Sequence, residues 1–142
     1  CRTAEFKDCT PQEITNAYDN TIAYTDAVLA ETIAFLQSQD NLDTALLYVS
    51  DHGESLGENG LYLHGSPYFM APEHQTRVPM ILWMSDSFQK RFALDHTCLV
   101  DQTARTLSHD NLFHSLLGML DIQTAERDSE LDIFATCKTS RK

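Results

Sequence analysis

An aspartate and a histidine stand side by side in this sequence, Asp51 and His52, and a second histidine follows at His64. Carboxylate oxygens and imidazole nitrogens are ligands that proteins offer to Zn²⁺. Adjacent side chains of a strand point to opposite faces, so the pair can share one ion only if the chain turns, as Gly53 permits. The alternatives are a cap or turn hydrogen bond for the pair and an ordinary loop histidine for His64. Together, these residues predict a metal site that needs further ligands from elsewhere.

A rival pattern overlaps this site, because residues 53–57 match G-x-S-x-G, the nucleophile elbow of serine hydrolases, with Ser55 at its centre. That elbow leads directly into a helix, and the glycines and prolines that follow disfavour a helix here. Residues suited to complete a catalytic triad come later in the chain: Asp101, His109, Asp110 and His114. A serine hydrolase therefore stays as a weaker alternative hypothesis. His74 and His96 have polar neighbours and are predicted to be surface residues.

The first element that must support this site is a long helix. Thr10 is suited to cap it, Pro11 to fill its first position and Glu13 to complete a capping box. The helix is predicted to end at Asp40-Asn41. Apolar residues recur along it at helical spacing and predict one inward stripe: Ile14, Tyr18, Ile22, Leu29, Ile33 and Leu36.

The remaining elements predict an α/β fold. Residues 45–49 are apolar on both alternating faces, which is typical of a central strand covered on each side. Four of the five glycines lie in residues 53–72, so we expect a long loop there, and loops of that length are commonly functional. A second strand is predicted at 78–83, a weak helix around Phe88 and Phe92, and a better helix at about 111–120 with Ser108 as its cap. This order indicates an α/β/α sandwich with a largely parallel sheet, in which Asp51 and His52 follow a strand where ligands commonly bind.

The charge of the chain excludes one class of partner. It has 10 Lys+Arg against 21 Asp+Glu, a formal net charge of −11, which repels nucleic acid, so we expect no nucleic-acid partner. An anionic substrate would need a bound cation or a positive region outside the chain. No apolar run has the length of a membrane-spanning helix. The chain begins at Cys1 without an initiator methionine or signal peptide, so we expect it to be part of a longer or processed polypeptide.

The four cysteines allow three complete pairings. Cys1 and Cys9 enclose a short polar segment that a disulfide could stabilise, which favours an oxidising compartment. Cys98 and Cys137 are each as consistent with a small buried residue as with half of a disulfide.

The stretch Ser-Asp-His-Gly-Glu-Ser-Leu-Gly-Glu-Asn-Gly at residues 50–60, followed by Tyr-Leu-His-Gly at 62–65, resembles the signature of bacterial lipid A phosphoethanolamine transferases. This family includes the mobile colistin-resistance enzymes and belongs to the alkaline phosphatase and sulfatase-like superfamily. Shorter segments at residues 18–21, 71–72, 77–79 and 108–114 also resemble it, so the resemblance covers nearly the whole chain. It implies that residues 1–142 are the C-terminal portion of a periplasmic catalytic domain, joined in the complete protein to a membrane domain at the bacterial inner membrane.

The resemblance also implies roles for individual residues. Asp51 and His52 match two zinc ligands, His64 matches a histidine that binds the substrate phosphate or a second zinc, and Glu54 is a lesser candidate for substrate binding. The family's nucleophilic threonine, its glutamate ligand and a further histidine lie upstream of Cys1, so we expect these 142 residues alone to be inactive. The Cys1 to Cys9 spacing also resembles a family disulfide.

The implied reaction is zinc-dependent transfer of phosphoethanolamine from phosphatidylethanolamine to lipid A through a phosphothreonine intermediate, which gives polymyxin and colistin resistance. A related sulfatase or phosphoglycerol transferase on the same fold is the nearest alternative, because it would share Asp51 and His52.

Overall fold

The computed structural model describes residues 1–3 and 5–139, and its longest helix is α1, Pro11–Gln37. The predicted capping box is confirmed: Glu13 N donates to Thr10 Oγ1 at 3.3 Å, and Thr10 N donates to Glu13 Oε2 at 2.8 Å. The helix ends before the predicted Asp40-Asn41 stop. Its apolar stripe is only partly inward, because Ile14 is buried whereas Ile22 is 52% exposed.

The remaining elements are short. In chain order they are β1 (Ala45–Val49), β2 (Ser55–Leu56), β3 (Tyr62–Leu63), α2 (Glu73–Thr76), β4 (Met80–Met84), α3 (Asp86–Arg91), α4 (His96–Gln102) and α5 (Asp110–Met119). The predicted strands and the predicted helix near residues 111–120 are confirmed with small shifts of their bounds. The helix α4 and the two-residue strands inside the predicted loop were missed.

The strand β1 pairs with β4. Ser50, just after β1, donates its N–H to the carbonyl of Pro79, just before β4, and Ser85, just after β4, donates to Thr44, just before β1. These bonds join the end of each strand to the beginning of the other, so the two strands run antiparallel. Each residue of β1 is half-buried. Among residues 1–3 and 5–139, β1 has no parallel neighbouring strand. The prediction that other elements would bury both faces of β1 is also not met within these residues.

The chain folds as two compact units. The first consists of Cys1–Ser38 and Leu46–Trp83, and the second of Gln39–Ala45 and the residues from Met84 onward. The first unit contains all four residues predicted for the metal and phosphate site. The core of the second unit is completed by its C-terminal segment, in which Ile133, Phe134 and Cys137 are buried.

A buried ion pair joins two parts of the C-terminal segment in the second unit. Arg127 donates from Nε to Asp132 Oδ2 at 2.9 Å, and Phe134 N donates to the other carboxylate oxygen at 2.8 Å. The carboxylate lies against Gly118 of α5, where a Cβ atom would be 1.8 Å from Asp132 Oδ2. Only glycine therefore leaves room for the pair beside the helix.

Both pairs of cysteines form disulfides. The predicted Cys1–Cys9 bond is confirmed, and Cys98 pairs with Cys137, which the sequence had left open. The second bond joins α4 to the C-terminal segment within the second unit. In the described parts of the chain, no helix combines the length and apolar character that crossing a bilayer demands.

Candidate metal and phosphate site

The site begins where β1 ends, and the chain bends there as predicted. Ser50 Oγ donates to His52 O at 2.8 Å, and Gly53 N donates to Gln75 O at 2.9 Å. A Cβ on Gly53 would be 2.0 Å from the carbonyl oxygen of His74. Gly53 is therefore needed for the close approach of two backbones, which holds the residues after β1 against α2.

Asp51 and His52 lie close enough to bind one ion. The ring of His52 has Nδ1 2.9 Å from Gly53 O, so Nδ1 is the protonated nitrogen that donates to this carbonyl. That tautomer leaves the lone pair on Nε2, and Nε2 is 3.9 Å from Asp51 Oδ2. A carbonyl that fixes the tautomer of a ligating histidine is a common feature of metal sites. The turn therefore brings both side chains within reach of one ion, whereas adjacent side chains of a straight strand would point to opposite faces.

The hairpin formed by β2 and β3 returns His64 to the same place. Ser55 pairs with Leu63, so Glu54 and His64 are the next residues along the two strands. Leu63 has a φ of 65°, a left-handed conformation uncommon for leucine, and it redirects the chain at His64. His64 Nδ1 lies 3.3 Å from Glu54 Oε2, and the rings of His52 and His64 stack at 3.8 Å between centroids.

His52, Glu54 and His64 form a cluster able to hold a cation, since each offers one ligand atom and these atoms all lie within 4.8 Å of one another. Glu54 Oε1 is buried and has no hydrogen-bond partner among the described residues. A buried carboxylate oxygen without a partner is costly, and a bound cation would offset that cost. Two imidazoles and a carboxylate are suitable ligands for Zn²⁺, so the residues present fit this metal. Asp51 lies outside this three-residue group and borders it through His52.

Ser55 is unsuited to act as a nucleophile. Its side chain is 1% exposed, and its Oγ accepts a hydrogen bond from Gln75 Nε2 at 2.9 Å. The residue is followed by a hairpin and not by the helix that a nucleophile elbow requires. Gln75 also accepts from Ser66 N at 3.3 Å, so it connects both arms of the loop. Sequence reasoning missed Gln75, because no pattern marks a buried glutamine in a polar segment.

The other histidines do not join this cluster. His74 and His96 are exposed, as predicted, and His109 is the residue before α5. His114 Nδ1 accepts from Asp128 N at 2.9 Å, which gives it a structural role. These histidines therefore contribute no ligand atom to the candidate site.

A carboxylate in the turn between β2 and β3 stabilises the hairpin itself. Glu58 Oε2 accepts from Leu56 N at 2.7 Å. Hydrogen bonds from its own backbone N–H and from that of Leu56 lower the pKa of the Glu58 carboxyl below its ordinary value. The residue is therefore ionised at neutral pH and holds the β2–β3 turn closed.

Comparison with known proteins assigns this chain to a family. A family model described as Sulfatase matches residues 1–122, which is most of the chain. The chain belongs to the sulfatase family. Phosphoethanolamine transferase EptA of Escherichia coli strain K12 is 46% identical over 140 residues, covering 97% of this chain and 26% of the relative. The chain thus spans about a quarter of the curated relative it matches, and the predicted resemblance to phosphoethanolamine transferases is confirmed.

Solved structures agree with the predicted alkaline phosphatase and sulfatase-like fold. The integral membrane protein lipooligosaccharide phosphoethanolamine transferase A of Neisseria meningitidis matches with a TM-score of 0.94 and 41% identity, covering 99% of this chain and 26% of that one. The C-terminal periplasmic domain of phosphoethanolamine transferase EptC from Campylobacter jejuni matches with a TM-score of 0.86 and 40% identity, covering 99% of this chain and 44% of that domain. The chain is therefore the C-terminal portion of a fold of this kind.

Proposed function

We propose that this chain supplies part of the zinc and phosphate site of a phosphoethanolamine transferase, which moves phosphoethanolamine from phosphatidylethanolamine to lipid A. The observation that carries the proposal is the convergence of His52, Glu54 and His64 within 4.8 Å, with Asp51 3.9 Å from His52 Nε2. The identity of 46% to a phosphoethanolamine transferase supports the choice of substrate. Expression of the complete protein in a susceptible strain should then raise its tolerance of polymyxin and colistin.

Asp51 and His52 are the proposed zinc ligands, and the upstream polypeptide supplies the ligands that complete the ion's coordination. Bound zinc would supply positive charge that stabilises anionic phosphate oxygens, which a chain of net charge −11 otherwise repels. The carbonyl of Gly53 keeps His52 in the tautomer whose Nε2 is free to ligate.

His64 is the proposed phosphate-binding residue. With its Nδ1 proton directed at Glu54, its Nε2 atom is free to contact a phosphoryl oxygen. When both nitrogens are protonated, Nε2 donates to that oxygen or gives its proton to the departing one. Glu54 orients the ring by accepting the hydrogen bond from its Nδ1 atom.

The proposed reaction has two steps that exchange one phosphorus–oxygen bond for another. A threonine hydroxyl from the upstream polypeptide attacks the phosphorus of phosphatidylethanolamine, the bond to the diacylglycerol oxygen breaks, and that oxygen takes up a proton. A phosphate oxygen of lipid A then attacks the phosphothreonine, and the threonine oxygen regains a proton. Because the nucleophile lies upstream, we expect the 142 residues alone to be inactive.

The proposed location is the periplasmic face of the bacterial inner membrane. It is supported by the periplasmic location stated for the EptC domain and by the integral membrane character of the Neisseria relative. The two disulfides agree with an oxidising compartment.

The test uses the complete protein and measures release of diacylglycerol from phosphatidylethanolamine in the presence of lipid A. A chelator should abolish release and added zinc should restore it, and His52→Ala should lower the rate by more than about a hundredfold. The matched control is His74→Ala, since His74 is exposed in the same unit and lies outside the cluster. Undiminished activity of His52→Ala, or activity indifferent to chelation, would contradict the proposal.

A sulfatase or phosphoglycerol transferase remains the second candidate, because the family model that matches is described as Sulfatase. A panel of an aryl sulfate, phosphatidylglycerol and phosphatidylethanolamine separates the candidates. Turnover confined to phosphatidylethanolamine supports the first proposal, and turnover of either other donor in its place supports the second.

A further inference from the structure

The side chain of Gln75 is buried beside the candidate site, although glutamine is usually a surface residue. Its Nε2 donates to Ser55 Oγ at 2.9 Å, and its Oε1 accepts from Ser66 N at 3.3 Å. Because a backbone N–H can only donate, the end of the amide that faces Ser66 must be its oxygen. Further polypeptide packed around this unit could only cover the side chain more, so its burial is a property of this chain itself.

The backbone of Gln75 contacts the same loop at a third point. Its carbonyl accepts from Gly53 N at 2.9 Å, and the missing Cβ of Gly53 makes room for the carbonyl of the preceding residue, His74. Gly53 and Ser55 belong to the arm of the loop that enters the β2–β3 hairpin, and Ser66 belongs to the arm that leaves it. One residue of α2 therefore holds both arms.

The arm that enters the hairpin carries His52 and Glu54, which flank Gly53. The bond that holds this arm, from Gly53 N to the carbonyl of Gln75, does not involve the glutamine side chain. A substitution that changes only the side chain at position 75 therefore leaves this bond, and with it the position of His52, in place.

The arm that leaves the hairpin depends on the glutamine side chain. The pairing of β2 with β3 ends where Leu63 pairs with Ser55, and His64 is the next residue. Two positions further on, the N–H of Ser66 donates to Gln75 Oε1. The backbone at His64 is thus held between the last pair of the hairpin and this hydrogen bond. Without the hydrogen bond, it is fixed on one side only.

We propose that Gln75 is the positioning residue of the phosphate-binding histidine, His64. Its amide oxygen fixes, through the N–H of Ser66, the backbone from which the imidazole reaches the phosphate. This inference rests on the proposed function, which assigns His64 to the phosphoryl group. It adds that the two halves of the site have separate supports: the side chain of Gln75 serves the phosphate, and the backbone carbonyl of Gln75 serves the zinc ligand His52.

The test uses the complete protein and measures two binding reactions by calorimetry, neither of which requires turnover. Gln75→Met keeps the length of the side chain but removes the acceptor of the Ser66 N–H. The zinc-loaded variant should bind inorganic phosphate about tenfold more weakly, the loss expected for one hydrogen bond to a charged group. The zinc affinity of the metal-free protein should be unchanged, because Gly53 N keeps its acceptor. The kcat/KM for phosphatidylethanolamine should fall by about tenfold or more.

Two control variants separate positioning from a general loss of stability. Ser55→Ala removes the other bond of the amide but keeps the bond to Ser66, and residue 55 is also held by the pairing of β2, so phosphate binding should stay at the wild-type level. Gln89→Met makes the same substitution in the second unit, where the side chain donates to the carbonyl of Met84 at 3.3 Å. It should change neither affinity.

Weaker phosphate binding in Gln75→Met alone, with zinc affinity kept, supports the proposal. An equal loss in Ser55→Ala, a matching loss of zinc affinity, or wild-type phosphate binding in Gln75→Met would overturn it. If Gln75→Met gives no cooperative thermal melt, Gln75→Asn takes its place, since its amide is one methylene shorter and cannot reach both arms.

The same measurements keep this inference separate from the proposed function. Phosphate binding that weakens as expected, in a protein that turns over no phosphatidylethanolamine, would refute the transferase function alone. Unaltered phosphate binding in Gln75→Met, in a protein whose wild type turns over phosphatidylethanolamine, would refute the role of Gln75 alone.

Discussion

Replacement of Gly53 by alanine should disable the site while leaving every proposed ligand in place. The added Cβ would lie 2.0 Å from the carbonyl oxygen of His74, and ordinary contact begins at 3.4 Å, so the two backbones must part by about 1.4 Å. The contacted oxygen belongs to the backbone of His74 and the added Cβ has no rotamer, so a change of side-chain rotamer cannot relieve the contact. The shift would also weaken the hydrogen bond from Gly53 N to Gln75 O. His52 and Glu54 flank Gly53 and would move with it.

The size of the effect follows from that displacement. A misplacement of about 1 Å at a catalytic site costs on the order of a hundredfold in rate, so kcat/KM of the complete enzyme should fall by about that factor. Zinc affinity should fall about tenfold or more, as when groups that support metal ligands are altered. The assays are diacylglycerol release at saturating zinc and calorimetric titration of the metal-free protein with zinc.

Gly60→Ala is the matched control for this prediction. Gly60 has a φ of 76°, and apart from its two chain neighbours no described residue has an atom within 4 Å of the point that its Cβ would occupy, so alanine there is strained but meets no obstacle. Its cost should be about 1 to 2 kcal/mol of stability, with zinc affinity unchanged. A Gly53→Ala enzyme with normal kcat/KM and normal zinc affinity would refute the argument that this contact positions the site.

Three further predictions concern stability and mechanism. Gly118→Ala should lower the free energy of unfolding, measured by urea denaturation, by about 3 to 5 kcal/mol. The added methyl group would displace the buried carboxylate of Asp132 from Arg127. A gain in stability would contradict this prediction. Ser55→Ala should cost about 1 to 3 kcal/mol, since a buried amide loses its acceptor, yet leave turnover of the folded enzyme intact; loss of turnover would favour a serine hydrolase. A hydrogen bond from the backbone N–H of Thr10 lowers the pKa of the Glu13 carboxyl below its ordinary value of 4.5. The ionised carboxylate therefore stabilises α1 fully above pH 4.5, and this stabilisation is lost as the pH falls through the lowered pKa of the folded form. The helical circular dichroism signal should therefore fall less on acidification in Glu13→Gln than in the wild type.

Features with a local physical cause could be predicted from the sequence. The capping box before α1 needs only residues three positions apart, and the apolar run of β1 needs only its own five residues. The position of Asp51 and His52 after that strand followed from the same run. Their 3.9 Å separation depended on the turn that Gly53 allows, which the sequence permitted but did not require.

Other features depend on contacts that no local pattern encodes. The strands β2 and β3 are two residues long, too short for alternation to be recognised. Leu63, which pairs with Ser55, has a left-handed conformation that no local pattern of leucine predicts. The pairing of Glu54 with His64 could not be predicted for that reason. The helix α4 did have a signal, since Asp95 caps it by accepting from Cys98 N, but its seven residues give too little periodicity.

The Cys98–Cys137 disulfide has a practical consequence for anyone who makes this protein. It joins residues 39 positions apart, and closing a loop of that size restricts the unfolded chain by about 4 kcal/mol in the entropic account. Synthesis in the cytosol of an expression host, where thiols stay reduced, would forfeit this contribution together with that of Cys1–Cys9. Export before folding is thus the preparation route that the covalent structure favours, and material refolded without an oxidant should melt at a lower temperature.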